Sequence, residues 1–337
     1  MRLLKLVIVP CSLIAILAAC NLTTAAPTPT PAATVTAPPA PTVSPTPAPL
    51  LGQDANPILL ALPPSQSLDS VTVANGQTLA TLLEEQTGYL VVAVAPTNYS
   101  ELIESLRVGN AHIAVLTPFA IAQAYQKDAV QAAFASTQNG VASIGAQFIA
   151  RSDRFTAYFD PSSGKNTAEA VQALAQFNGK KPCWTEPTSP SGYLIPSGLL
   201  GWYKIPTQEG AFLQSQFAVV RAVRAGEICD FGGTYIDARA YPALKDEYPQ
   251  IMNEVVVIWQ VPTIIPYDGI FLSKTVPADT AVQLKRALDL IYATDSGKTI
   301  LDSLFHFKGM IPVEDIFYTE FTRALTSSDA DLNSLVH

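Results

Sequence analysis

The residues best suited to chemistry lie in one short run, Thr188-Ser189-Pro190-Ser191-Gly192-Tyr193-Leu194-Ile195-Pro196. It separates a short apolar stretch ending at Trp184 from a helical pattern over 193–203. Ser189 and Ser191 present hydroxyls beside the free backbone N–H groups of a helix start, where the positive end of the helix dipole also points. That combination is a seat for an anion. Plain capping of the helix by a serine is the simpler use of the same residues, and Pro190 suits the first turn while removing one donor. Hydrolysis would need a nucleophile, a base and an orienting acid. Ser191 has no Gly-x-Ser-x-Gly elbow, and no spacing couples Cys183 or Cys229 to His112 or His306. The three histidines are scattered singly, so neither a zinc site nor a cofactor is expected. The chain reads as a binder and not an enzyme.

The elements that must position this seat follow from the hydrophobic pattern. Strand-like runs at 58–62, 89–94, 112–116, 146–150, 181–184, 227–231, 255–259 and 269–272 alternate with amphipathic stretches. Asn98 with Glu101 predicts a capped helix carrying Leu102, Ile103 and Leu106, and Asn166 with Glu169 predicts another carrying Val171, Leu174 and Phe177. Leu284, Ala287, Leu288, Ile291 and Tyr292 form a helical stripe. Such alternation predicts an α/β architecture with mostly parallel sheets, and in those sheets ligands sit beyond the carboxyl ends of strands or between domains.

The amino terminus places this body in the cell. Residues 1–20 have a basic start (Arg2, Lys5), an apolar stretch too short for the ~20 residues of a membrane span, and the close Leu17-Ala18-Ala19-Cys20. Small residues before a cysteine resemble the bacterial lipobox, so Cys20 is expected to be acylated and to hold the protein on the outer side of the membrane, with an ordinary secretory signal cut near Ala26 as the alternative. Residues 21–56, dominated by Pro, Ala and Thr, read as a semi-rigid linker. The remaining 57–337 exceed one comfortable core and predict two domains. Apolar residues make up 48% and charged residues 14% of the 337, which excludes disorder. The formal charge of −8 becomes −10 once Arg2 and Lys5 leave, a balance that repels nucleic acid. With Cys11 removed and Cys20 acylated, Cys183 and Cys229 remain; an oxidising compartment favours a disulfide between them, and two buried free thiols are the alternative.

Ser-Pro-Ser-Gly-Tyr-Leu-Ile-Pro at 189–196 resembles the Ser-Thr-Ser-Gly-aromatic-aliphatic-aliphatic-Pro signature of phosphonate-binding periplasmic proteins, the solute receptors of phosphonate ABC importers. The run 97–109, from Thr97-Asn98-Tyr99 to Leu106-Arg107-Val108-Gly109, is similar to that family's tyrosine followed by a helix ending Leu-Arg-x-Gly. Residues 111–119 resemble the strand and turn that come next, and Ile265-Pro266-Tyr267-Asp268-Gly269 resembles its Ile-Pro-Gly-Asp element. Order and spacing agree over about 57–310.

The resemblance implies a two-lobed, Venus-flytrap receptor of the periplasmic-binding type: lobe one from 57–149, lobe two from 150–262, and a return to lobe one over 263–337. By position, Tyr99 matches the cleft tyrosine, Ser189 and Ser191 the hydroxyls that hold the phosphonate, and Asp237 and Asp268 two acids that meet a ligand ammonium. Ser143 stands where the family has a second cleft tyrosine, Gln216 where it has a histidine, Pro190 where it has a middle hydroxyl, and His112 where it has an aspartate. The function implied is a lipid-anchored, monomeric receptor that binds a phosphonate-like anion, or a zwitterion such as an aminoalkylphosphonate, and delivers it to a membrane ABC permease. A sensory or scaffold lipoprotein of the same fold is the alternative, ahead of a hydrolase.

Overall fold

The alternating apolar and amphipathic stretches become two mixed sheets with helices on their faces. The structure, a computed structural model, describes residues 50–328 and 330–336. The expected signal, Cys20 and most of the expected linker lie outside these residues. In chain order the first strands are β1 (Ile58–Ala61), β2 (Val91–Val94), β3 (Ile113–Leu116), β4 (Val130–Ser136), β5 (Ser143–Ile144) and β6 (Ala146–Arg151). They are followed by β7 (Phe159–Asp160), β8 (Lys165–Asn166), β9 (Pro182–Trp184), β10 (Ala211–Phe212) and β11 (Phe231–Tyr235). The last are β12 (Val255–Gln260), β13 (Ile265–Pro266), β14 (Gly269–Ser273) and β15 (Met310–Pro312).

The first sheet has the order β15-β4-β14-β3-β1-β2 and the second β10-β9-β11-β6-β12. In the first, β1 to β4 share one direction while β14 and β15 oppose them. In the second only β6 is reversed. Those reversals decide where the chain crosses. It leaves the first sheet at the carboxyl end of β4 and enters the second at Ala146, which pairs with Tyr235 at the carboxyl end of β11. It returns from the carboxyl end of β12 to Gly269, which pairs with Leu116 at the carboxyl end of β3. Between the sheets, β5 and β13 pair antiparallel, Ile144 with Ile265 and Ser143 with Pro266. The two carboxyl edges are therefore the edges that the crossovers join.

Each sheet buries both faces. On the first, Leu79 and Leu83, Leu284 and Leu288, and Leu301 cover one side, and Leu102, Ile103 and Ile121 the other. On the second, Val219 and Val223 cover Ile149 and Val257, while Leu199 and Leu200 share a core with Phe148 and Phe231. Cys183 in β9 is disulfide-bonded to Cys229, two residues ahead of the neighbouring β11. The helix Ile316–Thr326 links the halves a third time: Tyr318 lies in a core of the first sheet, and Phe321, Ala324 and Leu325 in a core of the second.

Several expectations shift. The strand expected over 227–231 is β11, four residues later, because Gly232 and Gly233 hide it. A Cβ at Gly232 would come within 2.5 Å of Val219 and one at Gly233 within 3.1 Å of Pro196 and Trp184, so close helix packing requires glycine in this strand. β4, rich in alanine, carried no strand pattern. The helix placed after Asn166 begins only at Ala170, because Asn166 is taken up in β8, donating to the Gln260 carbonyl and accepting from its N–H. Leu51–Asn56, read as linker, are tied to the body: Leu90 N donates to Gly52 O at 2.8 Å, and Gly52 adopts φ +89 against the Tyr89 ring.

The helix Ile195–Trp202, which carries the serine turn at its start, packs on the C-terminal helix through glycine. A Cβ on Gly198 would fall 1.9 Å from Ala324 O. Gly198→Ala is expected to cost about 1–3 kcal/mol in urea unfolding through overpacking, with an unchanged midpoint as the contrary result.

Candidate ligand-binding site

On the second sheet's carboxyl edge, β9 runs through Thr185 into the serine turn. Ser189 takes an extended conformation and its Oγ accepts from Gly192 N at 3.1 Å. Pro190–Leu194 then form a wide π-type turn that continues directly into the helix Ile195–Trp202. Gly192 has no alternative here, since its Cβ would fall 2.0 Å from Thr185 Oγ1. Ser189, Ser191 and Thr185 are all buried. The backbone donors are fewer than a helix start suggests, because the N–H groups of Tyr193 and Leu194 both go to Ser189 O. What remains is mostly hydroxyl chemistry, beside the N–H of Ser191. Ser189 accepts one bond and keeps its O–H to donate; among the described residues Ser191 Oγ has no hydrogen-bond partner, and Thr185 Oγ1 is buried without one. Thr185 went unnoticed in the sequence; its one signal is that it follows directly on a strand end.

On the first sheet's edge, the expected cap is present. Asn98 Oδ1 accepts from Glu101 N at 2.8 Å, and Glu101 Oε2 accepts from Thr97 N at 2.8 Å. This fixes Tyr99 as the first residue of the helix Tyr99–Val108. Its hydroxyl interacts with that of Thr117, and burial, reinforced by the charge of Asp268, pushes its pKa up to about 12. Tyr99 is thus a neutral donor at any ordinary pH. Asp268 immediately precedes β14, and its backbone oxygen accepts from Ser136 N at 2.8 Å. Its carboxyl accepts no hydrogen bond from the described residues. Burial raises it to about 6, with nearby His306 pulling weakly the other way. Tyr318 is fully buried with an unpartnered hydroxyl, and burial and the Asp268 charge push that phenol up as well. The sequence offered no sign of Tyr318, which arrives from the C-terminal helix.

The other expected residues are engaged locally. Ser143 Oγ donates to Thr263 O at 2.6 Å, closing the crossover. Gln216 Oε1 accepts from Tyr235 N at 3.1 Å, finishing β11. Asp237 follows β11 and is bound by Arg239 and Gln147. His112 is a structural tie, its Nδ1 accepting from Leu59 N at 2.9 Å, with burial lowering its pKa. The structure therefore brings Tyr99 and Asp268 together on one edge and Ser189 and Ser191 together on the other. Among the described residues no hydrogen bond or ion pair joins the two sets, no cluster of His, Cys, Asp or Glu has the makings of a metal site, and no helix is long and apolar enough to cross a membrane.

An α/β body of two sheets with polar groups along the joined edges is the architecture of a periplasmic binding protein. The family model described as "ABC transporter, phosphonate, periplasmic substrate-binding protein" matches residues 60–318, and the chain belongs to that family, which is one of transporter components and not of enzymes. The phosphate-import protein PhnD of Mycolicibacterium smegmatis is 29% identical over 142 residues, covering 41% of this chain and 39% of that protein. The chain thus spans well under half the length of that relative. Among solved structures, PhnD1 from Prochlorococcus marinus in complex with methylphosphonate is 16% identical, covering 81% of this chain and 99% of its own, with a TM-score of 0.39. Transferrin 1 from Manduca sexta is 11% identical over 81% of this chain and 46% of its own, with a TM-score of 0.50, a likeness of fold alone.

Because the folded state raises Asp268 from 3.8 to about 6, it favours the protonated carboxyl, so this group's contribution to stability falls as pH rises through that window and is level above it. In urea unfolding at a series of pH values, wild-type stability relative to Asp268→Asn is expected to decline across the window. A pH-independent difference would contradict the burial of this acid.

Proposed function

We propose that this chain is an extracytoplasmic receptor of an ABC importer, held on the membrane by an acylated Cys20, that captures a small phosphonate-like anion between lobes made of 57–149 with 263–337 and of 150–262. Residues 1–20 are the signal and the stretch that follows is the tether. The protein acts as a monomer and hands its ligand to a membrane permease.

The observation that carries this reading is the set of buried hydroxyls at Ser189, Ser191 and Thr185, at the start of a helix on a carboxyl edge. Hydroxyls donate to an oxyanion without bringing a charge that must be desolvated, and a helix start adds a favourable dipole. The formal charge, −8 for the whole chain and −10 once Arg2 and Lys5 leave with the signal, provides no long-range attraction for an anion, so recognition rests on these local donors. Tyr99 donates from the opposite edge, beside Asp268, whose raised carboxyl shares a proton with an oxyanion more readily than an ordinary aspartate does. Capture follows from closing the two edges on the ligand about the β5–β13 crossing, which replaces its water by fixed donors.

Thermal shift and calorimetric titration with methylphosphonate, phosphite and phosphate test the reading, since a ligand that binds only the native state raises its melting temperature. Ser189→Ala and Ser191→Ala each remove one hydrogen bond to a charged oxygen and are expected to weaken binding about 10- to 100-fold. No stabilisation by any of the three anions, or full affinity in the double variant, contradicts it. Release of a Cys20→Ser variant from the membrane fraction checks the anchor.

A further inference from the structure

Asp237 stands just beyond the carboxyl end of β11, in the lobe that carries the serine turn. A free carboxylate there would be the natural partner of a ligand ammonium. The chain, however, brings its own cation. Arg239 Nε donates to Oδ1 at 3.0 Å and Nη2 to Oδ2 at 2.6 Å, the two-pronged pairing that guanidinium makes with carboxylate. Oδ1 also accepts from Gln147 Nε2 at 2.8 Å and from Arg239 N at 3.0 Å. The third guanidinium nitrogen, Nη1, donates to Val255 O at 2.8 Å, so every nitrogen of the group is held. The Arg239 side chain is only 7% exposed, against 22% for Asp237. Swinging it out would leave a charge without its partner, which is costly in a buried site.

A ligand ammonium approaching Asp237 therefore meets a neutral pair. Its attraction to the carboxylate is offset by repulsion from a guanidinium that lies against the same two oxygens. We infer that Arg239 is a specificity-determining residue: by neutralising Asp237 from within, it directs this receptor to phosphonates that carry no amino group and removes the advantage that an aminoalkylphosphonate would gain. The inference rests on the anion seat of the proposed function and narrows its ligand class. Asp268, on the other edge, is untouched by it, so the readout is a ratio of affinities and not the binding of an amine by itself.

The experiment is titration calorimetry of the folded protein with methylphosphonate and 2-aminoethylphosphonate, for wild type, Arg239→Met and the double variant Asp237→Asn/Arg239→Met. Wild type is expected to bind the amine no more tightly than methylphosphonate. Freeing the acid in Arg239→Met moves the ratio toward the amine by about tenfold or more, while the double variant, which removes an electrically silent pair, keeps the wild-type ratio within about twofold. Exchanging both partners of a buried pair is better tolerated than breaking it, so the double variant decides the matter where Arg239→Met does not fold. A wild type that prefers the amine, or a double variant that loses affinity for it selectively, overturns the inference and leaves the phosphonate receptor standing, as does a folded Arg239→Met with an unmoved ratio. A wild type that binds neither compound overturns the proposed function, and the inference with it.

Discussion

One constraint organises the rest: β14 in the first sheet and β6 in the second run against the strands beside them. Because of those reversals, the chain enters and leaves each sheet at the edge where its neighbours end. The paired crossover of β5 and β13 then ties the two carboxyl edges to each other. Helices that follow the forward strands start at these edges, so their positive ends gather there: the helices beginning at Tyr99, Pro118, Ile195 and Gln216 all belong to the joined edges. In the proposed function, a chain with a surplus of acids uses these helix starts to receive an anion.

The treatment of charge at this place is consistent. Asp237 is matched by Arg239, while Asp268 has no cation in hydrogen-bond reach among the described residues and is instead raised by burial. The hydroxyls of this place include the buried and unpartnered Thr185 Oγ1, and burying a hydroxyl costs less than burying an ion. In the proposed function, selectivity depends on geometry: where Ser189, Ser191, Thr185 and Tyr99 point, and how far the crossover lets the edges approach. The C-terminal helix bears on that second quantity, because Tyr318 packs in a core of the first sheet and Phe321 in a core of the second.

Local rules that act over three or four residues were legible in the sequence. The Asn98 and Glu101 cap, the serine turn and the Leu284 stripe all came through, because capping and helical periodicity leave marks at fixed spacing. Strand β11 did not, because its glycines answer to a helix packed against them and carry no strand propensity of their own. The site was legible as residue types and not as states. Nothing in Ile-Asp-Ala-Arg says that the arginine folds back on the aspartate, since that pairing depends on the turn over Ala238–Ala240 and on Val255 from a different strand. Thr185 and Tyr318 are invisible for a similar reason, as one is silent without Gly192 beside it and the other reaches Asp268 only through the fold.

Capture between the two carboxyl edges is tested most directly by amide hydrogen exchange on the native protein with and without methylphosphonate. Ligand held by both edges slows exchange at Ser191 and its turn, and also at the first turn of the helix that begins with Tyr99, in the same titration. Protection confined to one of these segments, or appearing instead around the surface basin of Lys298, His306 and Lys308, would contradict capture between the lobes.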